Sequence, residues 1–254
     1  MNATTVARRM VKAAALPVGA VRPMRAGDLS ILLYHRVGDG PGEIEMPPPL
    51  FEQQLAALAD DGGARTLEDG LVMGGVVLTF DDGTPDFHGT VLPLLVRHRL
   101  PALLYLATGQ IDTGPGTLTW SQLKEAMATG LVTAGAHTHG HVDLSKATAQ
   151  EADDEMRRSK DLVEDHLGTP CAHFAFPWAV GSDAAQGVAR ALFETSALDA
   201  WRTNRRATLD PHRLGRTPVL RSDGVVFFRA KAKGRLDTEG LAYRAARRGP
   251  WRFG

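Results

Sequence analysis

Cysteine is almost missing from this chain. Its 254 residues include one, Cys171, which excludes an intrachain disulfide and leaves a cysteine-built zinc site without its usual second thiolate. Cys171 is expected as a small buried residue. Charge of one sign is also missing, because Lys+Arg and Asp+Glu both number 29. With no net field to steer it toward a polyanion, the chain is not expected to have a nucleic-acid partner. No apolar run is long enough to cross a bilayer. The stretch Ala13–Val21, which follows Arg8, Arg9 and Lys12, is short, broken by Pro17 and Gly19, and a poor match to a secretory signal. These features favour the cytoplasm or a membrane periphery over secretion. There is no repeat and no low-complexity segment.

What is present suits one large core. A chain of this length with 43% hydrophobic and 23% charged residues can bury a full interior, and a single α/β barrel commonly needs about 250 residues. Apolar runs with strand character occur at Leu29–Tyr34, Val76–Phe80, Ala102–Ala107, Val132–Ala136, His173–Phe176 and Val225–Phe228. Helix-like stretches lie at Leu50–Asp61, His88–His98, Trp120–Thr129 and Ala149–Leu167, with Gly130 placed as a terminating glycine. Strands alternating with helices predict βα units around a parallel sheet or barrel. In Ala149–Leu167 dense charge on one side leaves Met156, Leu162 and Val163 for the other. This describes a surface helix whose acids are solvated.

The chain divides by composition into an N-terminal extension over 1–27, a catalytic domain over 28–228 and a basic tail over 229–254. In the tail Arg229, Lys231, Lys233, Arg235, Arg244, Arg247, Arg248 and Arg252 face only Asp237 and Glu239. A solvated extension is the simpler reading of that excess; peripheral contact with an acidic membrane is the other.

The chemistry concentrates in three places. The strand from Val76 ends in Thr79-Phe80-Asp81-Asp82-Gly83. Two adjacent carboxylates at the mouth of a buried strand repel each other unless a cation neutralises one, and a metal ion does this well. The competing reading is that Asp82-Gly83 is only a turn. The strand from Val132 runs into His137-Thr138-His139-Gly140-His141, where histidines at i and i+4 on a helical turn share a side and His139 points elsewhere. Asp82, His137 and His141 then form a two-histidine, one-carboxylate set with open positions for substrate. Phe174-Ala175-Phe176-Pro177-Trp178 is an apolar, proline-stiffened segment. It is open to reading as a pocket wall with an oxyanion N–H or as plain core. His35, at the end of the first strand, is a candidate acid or base, with a structural histidine as the alternative.

Together these motifs resemble the polysaccharide deacetylase family, also called the NodB-homology or carbohydrate esterase 4 family, from about Leu29 to Val219. The resemblance implies a distorted (β/α) barrel carrying one divalent ion, usually zinc. Thr79–Gly83 is similar to the family's first motif, which makes Asp81 the general base and Asp82 a metal ligand. His137–His141 is similar to the second, which gives both outer histidines ligand roles. Phe174–Trp178 is similar to the third, with Pro177 and Trp178 at the oxyanion and substrate groove. Two departures stand out. The arginine that often precedes the third motif and braces the catalytic aspartate is replaced by Cys171-Ala172-His173, and no histidine follows Phe227 to act as acid. Leu33–Val37 resembles the start of the poly-N-acetylglucosamine deacetylase branch, which assigns the acid role to His35.

The activity implied is removal of N-acetyl groups from an N-acetylglucosamine-containing polysaccharide or oligosaccharide. The ion polarises the acetyl carbonyl, Asp81 deprotonates the attacking water and His35 protonates the leaving amine. Two other readings remain: an N-deacylase of a small amino sugar, and a metal-bearing carbohydrate-binding protein without turnover. A glycosidase using Asp81 and Asp82 is disfavoured, since adjacent carboxylates do not flank a sugar from opposed sides.

Overall fold

The apolar runs close on one another in the computed structural model, which describes Met10, Lys12, Ala13 and residues 24–240. Strands β1 (Leu29–Tyr34), β4 (Gly75–Phe80), β5 (Ala102–Leu106), β6 (Val132–Ala136), β7 (His173–Ala175), β8 (Thr195–Ala200) and β9 (Leu214–Pro218) form a closed barrel in that order. All of its pairings are parallel, and β1 closes it by pairing with both β4 and β9. Two short strands, β2 (Arg36–Val37) and β3 (Glu45–Met46), pair separately beside it.

Helices α1 (Pro48–Asp60), α2 (Leu67–Met73), α3 (Leu92–His98), α4 (Trp120–Ala128), α5 (Ala149–Leu167), α6 (Asp183–Leu192) and α7 (Gly224–Ala232) connect or follow the strands. Because side chains alternate along a strand, two apolar sets separate. Leu29, Ile31, Val77, Leu103, Tyr105, Ala175, Ala197 and Leu214 fill the lumen with Leu67. Leu32, Tyr34, Leu78, Phe80, Leu104 and Phe174 belong to the larger core that includes the helices. The lumen is therefore packed, and chemistry is confined to the strand ends.

Local signals set the helix ends. Thr148 and Glu151 form a capping box at the start of α5, and Gly168 ends it in the left-handed region at φ 70°. Thr119 and Gln122 do the same for α4. Three expectations change. Val225–Phe228 is not a strand but part of α7, which packs on α1 and β1; four apolar residues in a row carry no periodicity that separates strand from buried helix. Strands β8 and β9 and helices α2 and α6 had no apolar run to mark them.

The third change concerns the ends of the chain. α7 runs across the 228/229 compositional break, and Lys231, Leu236 and Glu239 are buried, so this part of the basic tail is not a solvated extension. Lys12, from the N-terminal extension, is buried too, paired with Asp223 and 3.7 Å from Glu239. Lys231 Nζ lies 2.8 Å from Asp223 and 3.2 Å from Glu239. Two cations and two carboxylates thus satisfy one another in the interior, as buried charges must. Residues 241–254, with the other four basic side chains of the tail, lie outside the described residues, as does most of the 1–27 extension. No described helix is long and apolar enough to cross a membrane.

Candidate functional site

At the C-terminal ends of the strands a cavity of about 100 Å³ is lined by His35, Asp81, Asp82, His137, His141 and Trp178, with Leu33, Trp201 and Arg216 among its other walls. β4 delivers both aspartates. Neighbouring residues on an extended strand face opposite ways, yet Asp82 (φ 75°) and Gly83 (φ 77°) both adopt left-handed backbone. The chain thereby turns back, and both carboxylates reach one cavity. Gly83 is required twice over, since a Cβ there would sit 2.8 Å from Leu106 and 3.0 Å from Ile111.

The histidine segment does not form the helical turn expected from its spacing. Thr138 (φ 61°) and His141 (φ 51°) are left-handed and the stretch is irregular. His137 continues β6 and His141 returns to it over a tight loop, so the rings meet with centroids 5.1 Å apart. The loop is braced from outside: His139 Nδ1 lies 3.1 Å from Thr108 Oγ1, and the Gly140 N–H donates to Glu155 Oε2 at 2.7 Å. His139 thus faces away from its neighbours, as expected. Glu155, on α5, tethers this loop where solvation alone was expected.

Donor atoms of Asp82, His137 and His141 lie within 4.8 Å of one another. Asp82 Oδ1 is 3.2 Å from His141 Nε2 and 3.7 Å from His137 Nε2, and it is buried without a hydrogen-bond donor. His137 Nδ1 contacts the Ala175 carbonyl at 2.7 Å, which orients Nε2 inward as the lone-pair nitrogen. Burial lowers the His137 pKa against the opposing pull of the Asp81 and Asp82 carboxylates. Burial works against Asp82 ionising, but His141 and the other imidazoles overcome it and hold the carboxyl below its ordinary range. Two inward imidazole nitrogens and an orphaned carboxylate oxygen fit a divalent ion of the zinc type.

Asp81 has a different partner. Arg216 on β9 grips it with both terminal nitrogens, Nη1 to Oδ1 at 2.5 Å and Nη2 to Oδ2 at 2.8 Å. Both side chains are buried, 3% and 4% exposed. Burial alone would raise the Asp81 pKa; the Arg216 charge, with His137, lowers it below the usual carboxylate range. Arg216 carries no signal in the sequence. The bracing arginine is absent before the third motif, whereas β9 supplies one 135 residues from Asp81, in a strand without an apolar pattern.

His35 follows β1, the barrel neighbour of both β4 and β9. The Asp81 N–H donates to the Tyr34 carbonyl at 3.1 Å, Thr84 Oγ1 to the His35 carbonyl at 3.3 Å and the Val37 N–H to Asp86 Oδ2 at 2.7 Å. The first motif's loop therefore holds the histidine segment on both sides. In the third segment Phe174 and Phe176 are buried core, whereas Trp178 (φ 55°) turns out to meet the His141 ring edge-on at 4.6 Å.

Comparison with known proteins agrees with this geometry. The family model for polysaccharide deacetylase matches residues 73–193. The chain is 27% identical over 168 residues to the "Putative polysaccharide deacetylase YxkH" of Bacillus subtilis (strain 168), covering 62% of this chain and 59% of that one. It is 28% identical over 89 residues to a chitooligosaccharide deacetylase of Rhizobium leguminosarum bv. trifolii, covering 35% of this chain and 39% of that one. The chain thus spans less than two thirds of both curated relatives. The structure of the Streptococcus pyogenes deacetylase PplD in complex with acetate is similar with a TM-score of 0.74 and 25% identity, over 81% of this chain and 98% of that one. The matched stretch carries all three motifs and the barrel extends the likeness beyond it, so the chain is similar to polysaccharide deacetylases in both sequence and fold.

Proposed function

We propose that the protein is a metal-dependent hydrolase that removes N-acetyl groups from an N-acetylglucosamine-containing polysaccharide or oligosaccharide and releases acetate. The observation that carries this reading is the pairing, in one cavity, of an arginine-clamped aspartate with a two-histidine, one-carboxylate donor set. Asp82, His137 and His141 would hold the ion, with zinc the expected identity. When bound, it supplies Lewis acidity at the acetyl carbonyl.

The chain's own groups do the rest. Asp81, kept ionised by Arg216, accepts the proton of the attacking water. The Trp178 N–H donates to the oxygen on which negative charge develops, beside the turn made by Pro177. His35 delivers a proton to the departing sugar nitrogen, because His137 and His141 are committed as ligands and His139 faces away. At about 100 Å³ the cavity is far smaller than the roughly 300–1,000 Å³ of sites that enclose whole small molecules. It suits the acetamido group, with the sugar lying across its mouth, and this favours an oligomer over an enclosed small metabolite. The reading of a carbohydrate binder without turnover is disfavoured, because Arg216 supplies the brace for Asp81 that the third motif lacks.

The test is acetate release from chitin oligomers, poly-N-acetylglucosamine and monomeric N-acetylglucosamine by zinc-loaded protein. Turnover ranked oligomer above monomer is expected. Metal-loaded protein inactive on all three would defeat the proposal, and the monomer ranked first would move it to the small amino sugar.

A further inference from the structure

Asp81 is oriented by Arg216, which raises the question of what orients Arg216. Its two terminal nitrogens are committed to Asp81 in the plane of the guanidinium, leaving the faces of that plane to be supported. The guanidinium carbon lies over the face of the Tyr105 ring, 5.1 Å from its centroid. This is within the roughly 6 Å reach of a cation–π contact, which gains strength when desolvated. Both residues are buried, so water cannot replace the contact.

The barrel makes room for this ring. Tyr105 on β5 stands in register with Gly135 on β6. A Cβ on Gly135 would come within 2.8 and 3.0 Å of Tyr105 ring atoms and 2.8 Å of the His173 carbonyl oxygen. Any side chain at 135 would push the ring or the backbone aside. Tyr105 tops the lumen set of Leu29, Ile31, Val77, Leu103 and Leu214, and that packed column fixes its height beneath Arg216.

We infer that Tyr105 is a positioning residue for the reaction: its ring, seated against Gly135, holds the Arg216 guanidinium in the orientation that clamps Asp81. The inference rests on the reading of Asp81 as base. It commits to the aromatic face and not to the tyrosine hydroxyl.

Four variants test it, Tyr105→Phe, Tyr105→Leu, Arg216→Met and the Tyr105→Leu/Arg216→Met double, each loaded with zinc, checked for metal content and assayed for kcat and KM. Tyr105→Phe keeps the face and should stay within about two-fold of the parent. Tyr105→Leu should lower kcat about ten-fold with KM little changed, since a misdirected base weakens the transition state more than substrate binding. In the Arg216→Met background the same Leu substitution should cost almost nothing further, because residues that act through one another are not additive. Arg216→Met with unchanged kcat would overturn the inference, while Asp81→Asn with unchanged kcat and its metal in place would sink the base reading itself. If Arg216→Met is impaired but Tyr105→Leu is not, or if the Leu substitution costs the same in both backgrounds, the inference alone is overturned. Tyr105→Met is the second lumen variant; if neither Leu nor Met yields folded protein, Tyr105 is a core residue only and the inference is likewise overturned.

Discussion

Replacing Arg216 by methionine removes the guanidinium that grips Asp81 while keeping a long apolar stem, so the loss is confined to the guanidinium. The pair is bidentate at 2.5 and 2.8 Å and both side chains are at most 4% exposed, which places it among ion pairs whose breakage costs about 3–5 kcal/mol. The pH dependence should also change sign. In the parent the Asp81 carboxyl sits below its ordinary 3.8, so its contribution to stability is fully present above about pH 4 and fades as pH falls through the lowered value. Without Arg216, burial dominates and the folded-state value rises above the unfolded one. The variant should then lose stability as pH increases from about 4 toward neutrality. Urea unfolding of metal-free parent and variant at pH 5 and pH 7 reads both effects. A stability loss under about 1 kcal/mol at pH 7, with equal pH trends in the two proteins, would refute the clamp as the source of Asp81's charge.

Two further outcomes follow from the charge network. Hydrogen bonding to His173 draws the Glu68 pKa from 4.5 down to about 2. A depressed folded value means stability present above about pH 4.5 and lost as pH falls toward 2. Because the Glu68 side chain is 57% exposed, solvent should hold the effect to under about 1 kcal/mol; parent and Glu68→Gln unfolding midpoints that decline equally between pH 5 and pH 3 would contradict it. Lys12→Met should destabilise by about 3–5 kcal/mol, since Asp223 and Glu239 would be left in the interior with Lys231 alone. An unchanged denaturation midpoint would show that Lys12 is not part of the fold.

The legible part of this protein was the part written in short-range pattern. β1 and β6 fall where the apolar runs put them, α5 runs over its whole charged amphipathic stretch, and Asp81, Asp82, His137, His141, His35 and Trp178 share one cavity. β9 was invisible because Leu214-Gly215-Arg216-Thr217-Pro218 has one large apolar residue. It is buried all the same, with the Arg216 charge met by Asp81 across the lumen and the Gly215 N–H by the Asn204 side chain. β8 hid for a related reason: Ser196 is inside because its hydroxyl donates to the His212 carbonyl at 2.8 Å. The turn that brings His137 and His141 together depends on left-handed backbone at Thr138 and His141, which spacing alone does not encode. Partners 135 residues apart, such as Arg216 and Asp81, become neighbours only when the barrel closes.

Zinc-loaded parent and Asp81→Asn, compared for bound metal and for acetate released from a chitin oligomer, separate metal binding from proton abstraction. Asparagine can still accept a hydrogen bond from Arg216 but cannot take a proton from water. With Asp81 as the base, both proteins should hold about one ion per chain and turnover should be lower in the variant by about 10²–10⁴-fold. Near-parent turnover in Asp81→Asn with its metal in place would contradict that role.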